Sequence, residues 1–273
     1  MGRNQTDLRR TFLNLYLKVV SKAFQRSSTY KLEYFTGILN AVLYLAILTS
    51  VWQSVTAGDF ENGRDKNSLI LYSVIATLIK VSFGRQDGLV SSKIKNGTIV
   101  FDLLKPIRFP MIVFADTIGV SLYHLFSRSL PLLILAYFVL DLRFVPDLHS
   151  FAAFLVVYTL AFLIFFLIGF TISSLSFYFT EIFSFFLLYF ALITLFSGAV
   201  VPLDLFPETL RNISSWLPFP YLYYYPTQVI LGSEIGMSFG ELILRYFLMI
   251  GVLTSLASAV YLSGLKRLEL AGG

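Results

Sequence analysis

The sequence predicts an all-α fold: a polytopic integral membrane protein of six transmembrane helices, with an N-terminal interfacial helix and short extracellular helices between the fifth and sixth spans. Three observations predict it. Of 273 residues, 56% are hydrophobic and 14% charged, where a soluble domain carries about 25% charged residues, so this composition cannot supply a water-soluble surface. The apolar residues form unbroken runs, several near the ~20 residues a helix needs to cross ~30 Å of hydrocarbon. The runs are continuous rather than alternating in ~10-residue segments, which favours helices over a barrel, since a backbone facing lipid must satisfy its own hydrogen bonds.

Each element follows from its residues. In "RRTFLNLYLKVVSKAFQR" (9–26), Phe12, Tyr16, Val19 and Ala23 share one helical face, and Asn14, Lys18, Ser21, Lys22 and Gln25 share another. That is the pattern of a helix lying in the membrane interface, and residues 1–31 are assigned to it. The first apolar run starts too late and is too long for a signal peptide. The six-helix domain, 32–265, begins with a span over about 32–52 and a second over 69–83, whose Lys80 is near enough to the end to reach the headgroups. The stretch 110–140 carries Asp116, His124, Arg128 and Pro131. It is too long for one upright helix, so an interfacial approach followed by a span from about Ser121 is expected. The fourth span covers about 151–177 and the fifth 182–201, with a short turn at Phe179, Thr180 and Glu181 between them. Residues 202–241 hold five of the nine prolines and the cluster "YLYYY". That density of proline forbids a straight span, and so many aromatics argue for short helices dipping into the outer interface. The sixth span runs over about 242–262, and 266–273 form a tail.

Six spans place both termini on one side. The N-terminal 31 residues hold seven Lys or Arg, 84–110 hold five, and the tail adds Lys266 and Arg267. The opposite loops hold only Arg64, Lys66, Arg143 and Arg211. Fourteen cations against four make the termini and the 84–110 loop cytoplasmic, in the cell membrane, and the proline-rich segment extracellular.

Several chemistries are excluded. There is no cysteine, and His124 and His149 are far apart, so no metal centre is expected. No G-x-x-x-x-G-K-[ST], H-E-x-x-H or G-x-S-x-G occurs. The chain is expected to be no enzyme. The intramembrane charges Asp116, His124, Arg128 and Arg245 leave an alternative open, an ATP-independent secondary transporter or channel with a charge relay. The blander reading puts Asp116 at the interface and pairs the arginines locally.

One loop stands out, "KIKNGTIVFDLLKPIRFP" (93–110). Ile94, Ile99, Phe101, Leu103 and Leu104 alternate with Lys93, Lys95 and Asp102, and Asn96-Gly97 favours a turn in the middle. Pro106 and Pro110 stiffen the return to the membrane. A rigid, half-apolar knuckle beneath the bilayer is suited to docking into a protein groove.

"KNGTIVFDLLKPIRFP" resembles the loop between the second and third spans of type-2 ATP-binding-cassette (ABC) permeases, the six-span exporter subunits. "FSGAVVPLDLFPETLRNISSWLPFPYLYYYPTQVILG" is similar to their segment between the fifth and sixth spans. The resemblance implies a transmembrane subunit that pairs with a second permease, identical or a paralogue, and recruits two copies of a separate ABC-type ATPase, with ATP and Mg on that partner and no cofactor on this chain. It implies a coupling role for 91–104, carried by Lys93, Ile94, Lys95, Asn96, Gly97, Thr98, Ile99, Phe101 and Leu104, with Thr180 and Glu181 as a second contact. Independently of the resemblance, few buried charges and many aromatics suit an amphiphilic or hydrophobic cargo, drug-like, lipid-like or peptide-like. Phe186, Tyr189, Phe190 and Thr194 on the fifth span are the candidates to line its path.

Overall fold

Unbroken apolar runs with few glycines can only close their hydrogen bonds within the segment, and the chain forms helices wherever those runs occur. The computed structural model describes residues 5–29, 31–55, 66–84, 89–105, 107–140 and 144–267. Among these, every regular element is helical. Pro106, Arg64, Arg143, the side chains of Phe12 and Lys66, and the tail beyond 267 lie outside the described residues.

Helix α1 (Gln5–Thr29) is followed by α2 (Lys31–Val55) and α3 (Lys66–Phe83). A helical hairpin, α4 (Leu89–Lys95) and α5 (Ile99–Leu103), leads to α6 (Phe109–His124). A π-turn at Leu125–Ser129 joins α6 directly to α7 (Leu130–Val139). Next come α8 (Leu148–Ser174), with a tighter turn at Leu175–Phe177, then α9 (Phe183–Phe196), α10 (Glu208–Trp216), α11 (Tyr224–Ile230) and α12 (Phe239–Leu265).

Four segments are long and apolar enough to cross a membrane: Tyr34–Ser54, Phe109–Val139, Leu148–Phe177 and Phe239–Leu265. Two apolar helices, Asn67–Phe83 and Phe183–Phe196, are shorter. The expected division of 110–140 into an interfacial approach and a span is replaced by one continuous helix of 31 residues. Pro131 has no N–H for the Ser127 carbonyl and its ring crowds that carbonyl, so the helix widens into the π-turn just ahead of it instead of stopping. The fifth expected span, 182–201, is helical for only 14 residues, about 21 Å of rise. It ends because Gly198 adopts a left-handed φ of +75°, and the chain turns back.

The core gathers around α8. Val157, Ala161 and Ile164 are fully buried, together with Tyr72 and Ala76 of α3 and Leu242 and Tyr246 of α12. The proline-rich segment folds in against this core rather than hanging free. The Tyr246 hydroxyl donates to the Tyr221 carbonyl (2.7 Å), the Tyr72 hydroxyl to the Gly198 carbonyl (2.7 Å), and the Asp204 carboxylate accepts from Gln228 (2.9 Å) and Tyr224. The Tyr246 and Tyr72 hydroxyls thus satisfy backbone carbonyls that helix breaks would leave bare in lipid.

The amphipathic pattern of α1 holds: Ala23 is buried, and Asn14, Lys18, Ser21, Lys22 and Gln25 are exposed. Its inner face lies along α6, with Phe24 edge-on to Tyr123 (5.7 Å) and Arg26 in a two-pronged ion pair with Asp116 (3.1 and 2.9 Å). The approach is closest at Gly119, where a Cβ would stand 2.3 Å from the Val20 carbonyl oxygen. An exposed ion pair contributes at most about 1 kcal/mol, so close packing does more to hold α1. Gly119→Ala is therefore expected to destabilise the protein by about 1–3 kcal/mol, read as a lowered midpoint of thermal unfolding in detergent. Gly251→Ala, where a Cβ meets no atom within 4 Å, should leave the midpoint unchanged.

Candidate functional site

The hairpin is built from its turn outward. The Asn96 N–H donates to Ser92 (2.9 Å) and the Gly97 N–H to Ile94 (3.1 Å), closing α4. Gly97 then takes a φ of +67°, where an L-residue with a side chain is strained. This reverses the chain into α5, and the Asn-Gly expectation holds. The hairpin divides its side chains cleanly. Val90 and Ile99 are buried, with Ile94 and Leu103 beside them, in the same core as Ile182 and, at its edge, Leu175 and Phe177. Phe101 is 71% and Leu104 77% exposed. These two large apolar groups face away from the protein.

Electrostatics fix the inner side. Asp102 is buried between the ammonium groups of Lys93 (2.5 Å) and Lys105. Burial alone would raise its carboxyl, but hydrogen bonds and charge from Lys105 and Lys93 outweigh it and hold the group below its ordinary range. Lys95 reaches Glu181 at 3.4 Å, and the Glu181 carboxylate also accepts from the Phe183 N–H (3.0 Å) at the start of α9. That N–H bond, with Lys95 second, draws Glu181 below its usual value. The two segments expected to share a role, the loop and the turn at Thr180 and Glu181, are thus brought into contact. The exposed Lys95–Glu181 pair is screened by solvent and adds little, whereas full burial of an Ile such as Ile99 contributes about 1.5–3 kcal/mol. Packing attaches the hairpin, and charge sets its register.

The intramembrane charges do not form one chain. Asp116 is bound to Arg26, and Arg245 pairs with Glu241 one turn away (2.7 Å) near the start of α12. Arg128 instead points toward α2, where a Cβ on Gly37 would stand 2.4 Å from its guanidinium carbon. There it lines a cavity of about 250 Å³ between α2, α3, the π-turn, α8 and α9. Lys80 lines it too, its ammonium 4.6 Å from the centre of the Tyr44 ring rather than turned out to the headgroups.

The candidate path residues divide. Tyr189 and Phe190 line this cavity, Phe190 and Thr194 line an apolar groove of about 620 Å³ beside it, and Phe186 is buried in the core. Sequence reasoning did not associate Gly37, Asn40, Tyr44 and Thr77 with a site. The polar interruption at Asn40 of an apolar run was the available signal.

Compared with known protein families, residues 41–272 match the family described as ABC-2 family transporter protein. No curated protein sequence matches the chain. The matched range contains the hairpin, the Glu181 turn and all of the cavity wall except Gly37 and Asn40.

The hairpin's charge arrangement sets its response to pH. Because Asp102 is held below its ordinary range, its contribution is complete above that range and is lost as pH falls through the depressed one. Amide exchange in α5, expressed relative to the intrinsic rate at each pH, should therefore quicken in acid. Asp102→Asn should quicken it already at neutral pH, by tenfold or more for a loss of about 1.5–3 kcal/mol, and remove the acid step. Hydrogen exchange measured by mass spectrometry from neutral to acid pH checks this.

Proposed function

The chain belongs to the ABC-2 family of transporter proteins, and from that premise we propose that it is the membrane permease of an exporter driven by a separate ATPase. Membership implies a multi-pass membrane protein that works with an ABC ATPase. The finer reading has six spans, the two shorter apolar helices completing the four long ones, with both termini and the hairpin in the cytosol. Fourteen cations against four support that orientation. A second permease, identical or a paralogue, completes the pathway, and α2 offers a face for it or for lipid: Phe35, Leu39, Leu43, Ile47 and Val51, spaced by four, are all exposed.

One observation carries the proposal: a preformed hairpin whose inner side is packed into the bundle and whose outer apolar residues, Phe101 and Leu104, are unburied. In water such a face costs free energy, and a groove on an ATPase would recover it. Because Lys95 and Glu181 join the hairpin to the start of α9, a force applied at Phe101 reaches the helix that borders the cavity. Moving a two-state bundle from 1:99 to 99:1 takes about 5.5 kcal/mol of differential interaction. A flexible loop would dissipate that bias in its own rearrangement. The cargo on this reading is amphiphilic or hydrophobic. A charge relay gains no support, since Asp116 and Arg245 are paired separately.

Phe101→Ala should weaken association with the partner ATPase by about 2 kcal/mol, roughly 30-fold, without lowering the permease's thermal midpoint. Affinity by surface plasmon resonance and transport-coupled hydrolysis in vesicles check this. Unchanged affinity and coupling would contradict the assignment.

A further inference from the structure

The cavity beneath Arg128 combines features that a packed helix bundle does not need. Lys80 and Arg128 both line it, and among its described lining residues none is acidic. The contact Lys80 makes is with the face of Tyr44, which attracts a cation but does not neutralise it. The hydroxyls of Tyr44 and Tyr189 are buried in the wall with no hydrogen-bond partner among the described residues. Such groups are rarely left so in a finished core, and cations at membrane depth are costly enough that they mark sites. The remaining wall is largely apolar, including Phe165 and Ile193. Phe190 borders both this cavity and the neighbouring groove, whose other walls include Leu187, Val200 and Phe206.

We propose that this pair of spaces binds an anionic amphiphile, its carboxylate or phosphate against Lys80 and the Tyr189 hydroxyl and its chain past Phe190 in the groove. Calling the amphiphile cargo rests on the permease reading; its binding does not. The Lys80 ammonium disfavours a cationic amphiphile. The apolar groove selects against a free inorganic anion, which gains nothing from it. The volume is sufficient, since an apolar cavity of about 150 Å³ already holds a benzene-sized guest. Gly37 leaves room for the Arg128 guanidinium in the cavity wall.

The test is native mass spectrometry of the purified full chain in a non-ionic detergent, titrated with dodecyl phosphate, laurate, dodecylamine and inorganic phosphate. Dodecyl phosphate and laurate should bind, and dodecylamine and inorganic phosphate should not. Lys80→Gln should weaken binding of both acids at least tenfold, and Lys80→Arg should retain it. Tyr189→Phe, which keeps the ring and removes the hydroxyl, should weaken it several-fold and serves if Lys80→Gln does not fold. Equal binding of the acids to wild type, Lys80→Gln and Tyr189→Phe would overturn the proposal, as would dodecylamine binding as tightly as laurate. Inorganic phosphate binding as tightly as dodecyl phosphate would overturn it in favour of a soluble anion. No ATPase takes part, so this result can fail while the Phe101 variant still releases the ATPase, and can stand if it does not.

Discussion

Lipid offers no partner to a backbone hydrogen bond, and this constraint shapes the chain at each point where a helix is interrupted. Pro131 denies a donor to the carbonyl of Ser127, and the helix responds by widening into a π-turn at Leu125–Ser129. Gly198 ends α9 early, and the Tyr72 hydroxyl caps the exposed carbonyl. Each interruption needs polar or aromatic side chains nearby, so polarity collects where regularity fails. The cavity lies between two such places. Arg128 belongs to the π-turn, and Tyr189 and Phe190 belong to the helix that Gly198 shortens.

The same constraint explains the division of labour between the membrane helices and the hairpin. Inside the bundle, hydroxyl bonds such as Ser121 to the Phe83 carbonyl (2.6 Å) and Ser129 to the Leu78 carbonyl (2.9 Å) fix helix pairs, each contributing about 0.6 kcal/mol on average. In the hairpin, Ile99 and Val90 supply the attachment and the buried Asp102 orients two lysines. The result is a short element fixed along its inner side, with Phe101 and Leu104 exposed on the outer one. Its contact with Glu181 is weak in energy but specific in position, which is what a linkage needs if it is to transmit motion.

Much of this was legible in the chain. The Asn96-Gly97 turn, the apolar periodicity around it and the amphipathic face of α1 are local patterns, and local patterns survive folding when nothing opposes them. The continuity of 109–139 was harder to read, because Pro131 can end a helix or merely distort it and only the neighbouring packing decides. The fifth span read too long because residues 199–201 are apolar, and hydropathy does not register a change of φ at Gly198. The cavity was least legible. Gly37, Lys80, Arg128 and Tyr189 come from four separate stretches, and their meeting depends on a missing Cβ at Gly37 and a π-turn, neither of which leaves a periodic signal.

The central claim is that the hairpin and the start of α9 move as one body when the ATPase closes. It is tested most directly by pulsed electron spin resonance on the assembled transporter, with spin labels at Asn96 and Thr180 within one chain, and at Asn96 alone across the pair of permeases. The account predicts that trapping the ATPase in its ATP-bound form leaves the first distance narrow and unchanged while the second shifts. A first distance that broadens or shifts, with the second constant, would contradict it.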